Sequence, residues 1–479
     1  MMKRAWITAA SLLAIWSSAA SSAVFDIPDG DVQALNDAIL AANGNGEGDV
    51  INLAPAGRYS PENFPDGDEG CDASSRGTLL SIMSRIIING RGAVIDGIRN
   101  FHRPFCVDVA GDLTLTDLRL TDFVNEGPLE GSNTVGGVMI IRGKAQLQNV
   151  TIDKVVADAF NGLSLGGAIF NDTTGMLQLQ NVTITDVTIV PAFPGGGRGA
   201  LASSGEMTVI NSILTGNSGG TATQGNSGGT AGIWVNGATT LVNTIVAGND
   251  GDDCAFVGTG AKLISLGHNI DGDGTCGLDQ PTDQPETDPE LGTFGDHGGP
   301  IPTIALEPDS PAIGAAEDLH CPPVDARGFV RATGPRFDCD IGPFQLDAKA
   351  HDIEPALTAS WFFLPQSGHG FNVEVLGPDR NQVLAYWYTY DAEGNPIWLQ
   401  GVGDIQGNRS AMALYRYEGM RFGEFDPGTK EAHVWGTLSL YFRSCQRGAA
   451  TWQPLDPALP AGGIPLSRLS IVQGLDCGG

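Results

Sequence analysis

The residues best suited to hold a metal ion in this sequence gather around two cysteines. Asp250, Asp252, Asp253, Asp271 and Asp273 flank Cys254 and Cys276. Hard carboxylate oxygens at alternate positions suit Ca2+, so the expected cofactor is at most a structural calcium ion. The group does not complete an EF-hand loop. A second candidate site is aromatic. Tyr386, Tyr388, Tyr390 and Trp398 lie close together in sequence, and flat rings bury area against a sugar at low entropic cost. The competing reading is that these rings fill a small β core.

No catalytic set emerges. Glycoside hydrolysis needs two carboxylates flanking one bond. Gly251-Asp-Asp253 and Gly368-His-Gly370 offer suitable residue types but fall in different domains. Arg142, Asp172, Arg198 and Glu206 are scattered and read as solvated loop charges. His268 and His297 are single and far apart in sequence, so a zinc site has no support. Net charge is −29, from 55 acids against 26 bases. Such a balance repels nucleic acid and anionic lipid, and disfavours a polyanionic substrate.

The first residues read as an export signal over 1–23. Lys3 and Arg4 precede an apolar stretch, and Ser21-Ser22-Ala23 offers a small-x-small cleavage site. No later run is long and apolar enough for a membrane span. A secreted or cell-surface location follows. Eight cysteines in an exported chain are expected to pair, with 105 connectivities open in principle. Spacing favours Cys71–Cys106, Cys254–Cys276, Cys321–Cys339 and Cys445–Cys477.

What must position these groups is a repeat. Leu113-Thr-Leu-Thr-Asp-Leu-Arg-Leu120, Ala145–Ile152, Leu177–Ile184, Met207–Leu214 and Thr239–Val246 align without gaps. Their fifth position is Asp117, Asn149, Asn181, Asn211 and Asn243, at spacings of 32, 32, 30 and 32 residues. A fixed period in this range signals stacked repeats. Within each unit the apolar alternation slips by one at this residue. A bend there lets both flanking strands point inward. Asn tolerates the left-handed backbone that such a bend uses, and stacked amides can bond as a ladder. Asn149-Val-Thr and Asn181-Val-Thr match the glycosylation pattern, a coincidence if these are ladder positions. A second register, Gly137-Val-Met-Ile, Gly167-Ala-Ile-Phe, Gly199-Ala-Leu-Ala and Gly232-Ile-Trp-Val, precedes the last four units. The reading is all-β: a parallel β-helix over 24–346, capped at its N-terminus by a helix from Val32 to Ala42.

Further motifs carry a resemblance. Leu266-Gly-His-Asn-Ile270, Phe294-Gly-Asp-His-Gly-Gly-Pro300, Ser310-Pro-Ala-Ile313, Asp325-Ala-Arg-Gly328, Arg331 and Cys339-Asp-Ile-Gly342 resemble the signature of choice-of-anchor Q β-helix proteins of bacterial surfaces. Ala34–Asn43 resembles the N-terminal cap of that group, without its usual Cys-Ser-Leu-Arg-Glu-Ala form. The resemblance covers residues 30 to 346. It implies a right-handed β-helix on an exported protein and implies no activity.

Composition shifts after Leu346. Five of eight Trp and six of seven Tyr lie beyond residue 355. A polar linker over 347–355 leads into short aromatic strands over 356–479, read as a small antiparallel β domain. Gln366–Phe371 and Tyr388–Trp398 resemble a domain appended to other exported bacterial proteins. Alternation along Tyr386–Tyr390 puts the three tyrosines on one face and Trp387 on the other. Trp387 is the largest ring and is expected inside. The leading expectation is a non-catalytic surface protein that binds glycans or partner surfaces. The alternatives are a polysaccharide lyase or hydrolase with an unfamiliar site, and a structural spacer.

Overall fold

The computed structural model describes residues 21–60, 81–99, 103–126, 134–158, 164–190, 197–219, 229–331, 339–377, 380–424 and 426–477. Most of the stretch read as an export signal, and Cys71, lie outside them.

The aligned segments stack in parallel, residue for residue. Leu113 pairs with Ala145, Ala145 with Leu177, Leu177 with Met207, and Met207 with Thr239. They belong to one 15-stranded sheet. The expected bend is present at every ladder position: φ is +51° at Asp117, +53° at Asn149, +54° at Asn181, +44° at Asn211 and +52° at Asn243. The residues on either side, such as Leu179 and Val182, are therefore both buried. Asn149 donates from Nδ2 to Asp117 at 3.0 Å, Asn181 to Asn149 at 3.0 Å, and Asn243 to Asn211 at 3.1 Å. Asn149 and Asn181 are 1% and 0% exposed, which leaves no room for a glycan.

A second sheet of nine strands stacks the post-glycine segments. Ile169 pairs with Met139 and with Leu201. The last segment departs from the expected alignment by one residue, because Leu201 pairs with Ile233 rather than Trp234. Gly232 is still required at its place: a Cβ there would lie 2.2 Å from the Asp253 carbonyl oxygen, as one at Gly137 would lie 2.3 Å from that of Gly167.

The N-terminal helix spans Val32–Asn45, three residues longer than read. Asp31 caps it by accepting from the Ala34 N–H at 2.9 Å, and Gly46 ends it with φ +77°. Leu35, Ala38, Ile39 and Ala42 bury its inner face against the first strands. No helix among the described residues is long and apolar enough to cross a membrane.

Residues 297–331 and 339–346 run back along the Asn side of the sheet. Asn181 donates to the Val324 carbonyl at 2.9 Å, and Glu317 N–H donates to Asn243 Oδ1 at 2.7 Å. The ladder skips between Asn181 and Asn211, where the spacing is 30 residues. Here the fully buried Arg331 donates to Asn181 Oδ1 at 3.3 Å and to the Gly342 carbonyl at 3.0 Å. Asn211 instead donates to the Asp340 carbonyl at 3.2 Å. Arg327 pairs with Asp325 and lies 3.8 Å over the Phe344 ring.

The C-terminal strands close into an antiparallel barrel of eight, from Ala359–Phe362 to Gly462–Arg468, which pair with each other. Trp361, Phe371, Trp387, Leu414, Leu438 and Phe442 fill its core. The linker segment is bonded to this barrel: His351 N–H donates to the Phe442 carbonyl and Ile353 N–H to the Gly407 carbonyl, both at 2.9 Å. The barrel packs on the first repeats. Leu455 covers Val50 and Ile87, Arg85 donates to the Pro454 carbonyl at 2.9 Å, and Arg91 pairs with Asp404 at 2.9 Å. Deeper in the interface Arg409 meets Asp117 at 3.2 Å, with both side chains nearly buried. Cys254–Cys276, Cys321–Cys339 and Cys445–Cys477 are bonded.

Candidate functional site

Three adjacent barrel strands, Gln382–Tyr390, Pro396–Gln406 and Arg409–Glu418, build an aromatic outer face. Alternation decides which rings reach it. Val383, Ala385 and Trp387 point inward, and Tyr386, Tyr388 and Tyr390 outward. Trp387 is 4% exposed, whereas Tyr388, Tyr390 and Trp398 are 47%, 51% and 45% exposed. Trp387 has its place because three rings close around it: Phe371 at 5.2 Å, Trp435 at 5.3 Å and Trp452 at 5.0 Å between centroids. Its indole N–H donates to His369 Nδ1 at 3.4 Å, and burial lowers the pKa of that imidazole.

Register brings the outer rings into two rows. Tyr386, Gln400 and Tyr415 are paired across the three strands, and Tyr388 is paired with Trp398 in the next row. Trp398 lies 6.3 Å from Tyr386 and 5.9 Å from Tyr417, and Tyr415 lies 6.4 Å from Tyr417. The last two pairs are inclined by only 28°. The Lys430 ammonium lies 5.2 Å from the Tyr417 ring. The hairpin joining the first two strands is held by Asp391, which accepts from the Asn395 N–H at 2.7 Å. The Asn395 side-chain amide, which also donates to it at 3.1 Å, lowers its carboxyl pKa most, and the backbone N–H adds to this. Tyr390 donates to the Gly368 carbonyl at 3.2 Å, fixing the end of the row.

Tyr415 and Tyr417 were not among the sequence candidates. Their signal was present in Tyr415-Arg-Tyr417, a period of two before a turn. Tyr415 also carries the face into a groove of about 460 Å3 between the barrel and the first repeats. Asp26, Asn52, Arg91, Gln382 and Asp404 line it.

The acidic candidate resolves differently. Asp253, Asp271 and Asp273 place carboxylate oxygens within 4.8 Å of one another. Asp252 is near enough for Asp273 to raise its pKa, though burial contributes more. Asp250 is exposed, 3.4 Å from Ser218 Oγ, and is not part of this group. The strands Asp252–Phe256 and Ile270–Asp271 and the Cys254–Cys276 bond hold the cluster. Its oxygens are engaged by the turn. Asp253 accepts from Asn249 Nδ2 at 2.7 Å and Gly272 N–H at 3.1 Å; Asp271 accepts from Cys276 N–H at 2.9 Å. Burial pushes Asp253 up to about 7 and Asp271 up to about 6, with Asp273 adding to both. Asp273 itself is lowered by hydrogen bonds from Thr275 and the Asp253 N–H, which outweigh its burial.

The scattered charges do not converge. Arg142 pairs with Asp172 at 3.4 Å, and Arg198 lies 5.0 Å over Trp234. His268 Nδ1 lies 2.6 Å from the Ala315 carbonyl, and His297 Nε2 lies 2.9 Å from the Thr293 carbonyl. No family model, curated protein or solved structure matches the chain.

Proposed function

We propose that this is an exported, non-catalytic protein of the choice-of-anchor Q type whose barrel binds glycans through its aromatic outer face. The observation that carries this reading is the contiguous set of solvent-facing rings Tyr388, Tyr390 and Trp398, extended by Tyr386, Tyr415 and Tyr417. Rings on a barrel that already has a full core are not needed for packing. The excess of 55 acids over 26 bases favours neutral sugars over uronates or sulfated chains. The two parallel sheets are the faces of a parallel β-helix in this reading. Its hand is right, as for nearly all parallel crossovers. The family motifs gain a shared purpose, since Arg331 and the Asp340 carbonyl fasten the returning segment to the Asn ladder while Asp325 and Arg327 pair within that segment. Calcium at Asp253, Asp271 and Asp273 belongs to the same proposal, supported by their convergence. The test is affinity electrophoresis of the full chain against soluble neutral polysaccharides. Wild type should be retarded by at least one, and Trp398→Ala should lose most of that retardation with an unchanged melting temperature. Retention by none across a broad panel would reject glycan binding and leave the structural spacer.

A further inference from the structure

We propose that His351, Glu354, Cys445 and Cys477 form a redox-gated site for Zn2+, closed as a disulfide when oxidised and able to take the metal when reduced. Three separate parts of the chain meet here at the base of the barrel. His351 and Glu354 come from the segment that enters it, Cys445 from the turn between Glu431–Ser444 and Arg447–Pro454, and Cys477 from the tail. His351, Glu354 and Cys445 are fixed independently of any ligand. His351 N–H donates to Phe442, Glu354 precedes the short 3-10 turn Pro355–Leu357, and Arg468 donates both to the Cys445 carbonyl at 3.4 Å and to the Ala356 carbonyl at 2.6 Å.

Two thiolates, an imidazole and a carboxylate are ligand types that zinc takes in a closed four-coordinate site. Bond lengths of about 2.3 Å to sulfur and about 2.0–2.2 Å to nitrogen and oxygen give tetrahedron edges of about 3.4–3.8 Å. Five of the six edges are already close to this. His351 Nε2 lies 3.6 Å from Cys445 Sγ, 3.8 Å from Cys477 Sγ and 3.1 Å from Glu354 Oε1. Glu354 Oε1 lies 3.9 Å from Cys445 Sγ and 3.0 Å from Cys477 Sγ. Only the sulfur–sulfur edge must open, and the two Cα atoms at 6.1 Å can stay in place. All four residues are half-buried, so an ion can enter from solvent.

The chemistry balances with an external dithiol or phosphine as reductant. Two electrons and two protons break the S–S bond and leave two thiols; a dithiol supplies both and becomes a disulfide, whereas a phosphine supplies the electrons and becomes its oxide with the oxygen of a water molecule, whose two protons go to the thiolates. Zinc then forms two Zn–S bonds and releases two protons, as metal binding to thiols does. The zinc-bound form ties together the same three segments that the disulfide ties.

The experiment uses the full chain, reduced with a water-soluble phosphine and desalted without oxygen. Co2+ is titrated as the optical probe and displaced by Zn2+. Wild type should show one equivalent of tetrahedral cobalt with thiolate charge-transfer absorption. Cys445→Ser with Cys477→Ser should lose that absorption, although the other cysteines remain. His351→Ala and Glu354→Ala should each weaken cobalt binding by roughly tenfold or more. In wild type, Zn2+ should protect Cys445 and Cys477 from alkylation, read by mass spectrometry, which keeps the test valid if a variant misfolds. Equal cobalt spectra from wild type and the double variant, unchanged affinity in His351→Ala, or no protection of the two cysteines would each overturn the proposal.

Discussion

Asp117 is the one acid in a row otherwise made of Asn, and the barrel supplies the reason. Its Oδ1 accepts from Asn149 as the ladder requires, while Oδ2 faces Arg409 Nη1 at 3.2 Å. Asp117 and Arg409 are 4% and 5% exposed. At an effective dielectric constant of about 20, unit charges at this separation attract by about 5 kcal/mol, and desolvation offsets much of it. Removing one member strands the other, at a cost of about 3–5 kcal/mol. Asp117→Asn restores the residue found in the other repeats and keeps the ladder amide, yet should lose about 3 kcal/mol because Arg409 is left unpaired. Arg409→Gln should lose a similar amount. Together they should lose about 2–3 kcal/mol rather than about 6, a coupling of roughly 3 kcal/mol. Urea unfolding followed by tryptophan fluorescence reads the transition, since five of the eight Trp lie in the barrel region. Losses that add to within about 0.5 kcal/mol would show that the charges do not act on each other, and the explanation of Asp117 would fall.

Other expectations follow the same logic. Asn181→Leu should destabilise by about 3 kcal/mol, since it places a branched side chain at φ +54° and removes the bonds to Asn149 and Val324; an unchanged melting temperature would contradict this. Asp253 at about 7 and Asp271 at about 6 stand above the ordinary 3.8, so the native state favours their protonated forms. Their contribution is full below about pH 4 and is lost as pH rises through 6 to 7. Melting temperature should fall from pH 5 to pH 8 in the presence of a chelator. Millimolar Ca2+ should recover part of the fall if it binds the ionised carboxylates; a flat or rising profile in chelator would refute the burial argument. Trp387→Ala should cost about 3–5 kcal/mol and loosen the barrel, whereas Trp398→Ala should leave stability within about 0.5 kcal/mol. Equal effects from the two would show that the inner and outer faces are not distinct.

The repeat was legible because its signal is local. A left-handed residue between two inward strands shifts the apolar parity by one, and that slip is visible in Leu177–Ile184 alone. The inward place of Trp387 and the outward place of the neighbouring tyrosines followed from alternation in the same way. The segment after Gly232 shows the limit. Glycine marked the start of all four segments, but the last pairs one residue earlier, at Ile233, a register decided by contacts between distant residues. The role of Arg331 under the Asn ladder, the pairing of Arg409 and the grouping of His351 with Cys445 were beyond reach for that reason as well. Each takes its meaning from a partner dozens to hundreds of positions away, and no periodicity records such a pairing. The five acids read as one cluster became three because strand register, not nearness in sequence, decides which carboxylates converge.

The seating of Leu455 on Val50 and Ile87 bears on the timetable of folding. A bare stack of repeats grows by neighbour addition, so its first units can mature while later ones are still being made. Here the first units keep an apolar patch uncovered until nearly the last strand exists. Arg85 and Pro454 are 369 residues apart in sequence. Closing so long a loop costs only about 5 kcal/mol, because the entropy grows logarithmically. The delay is the larger burden, since contacts of high sequence separation form late and slowly. Early repeats must wait, sticky and incomplete, for their distant lid. The excess of negative charge along the chain keeps such waiting molecules apart.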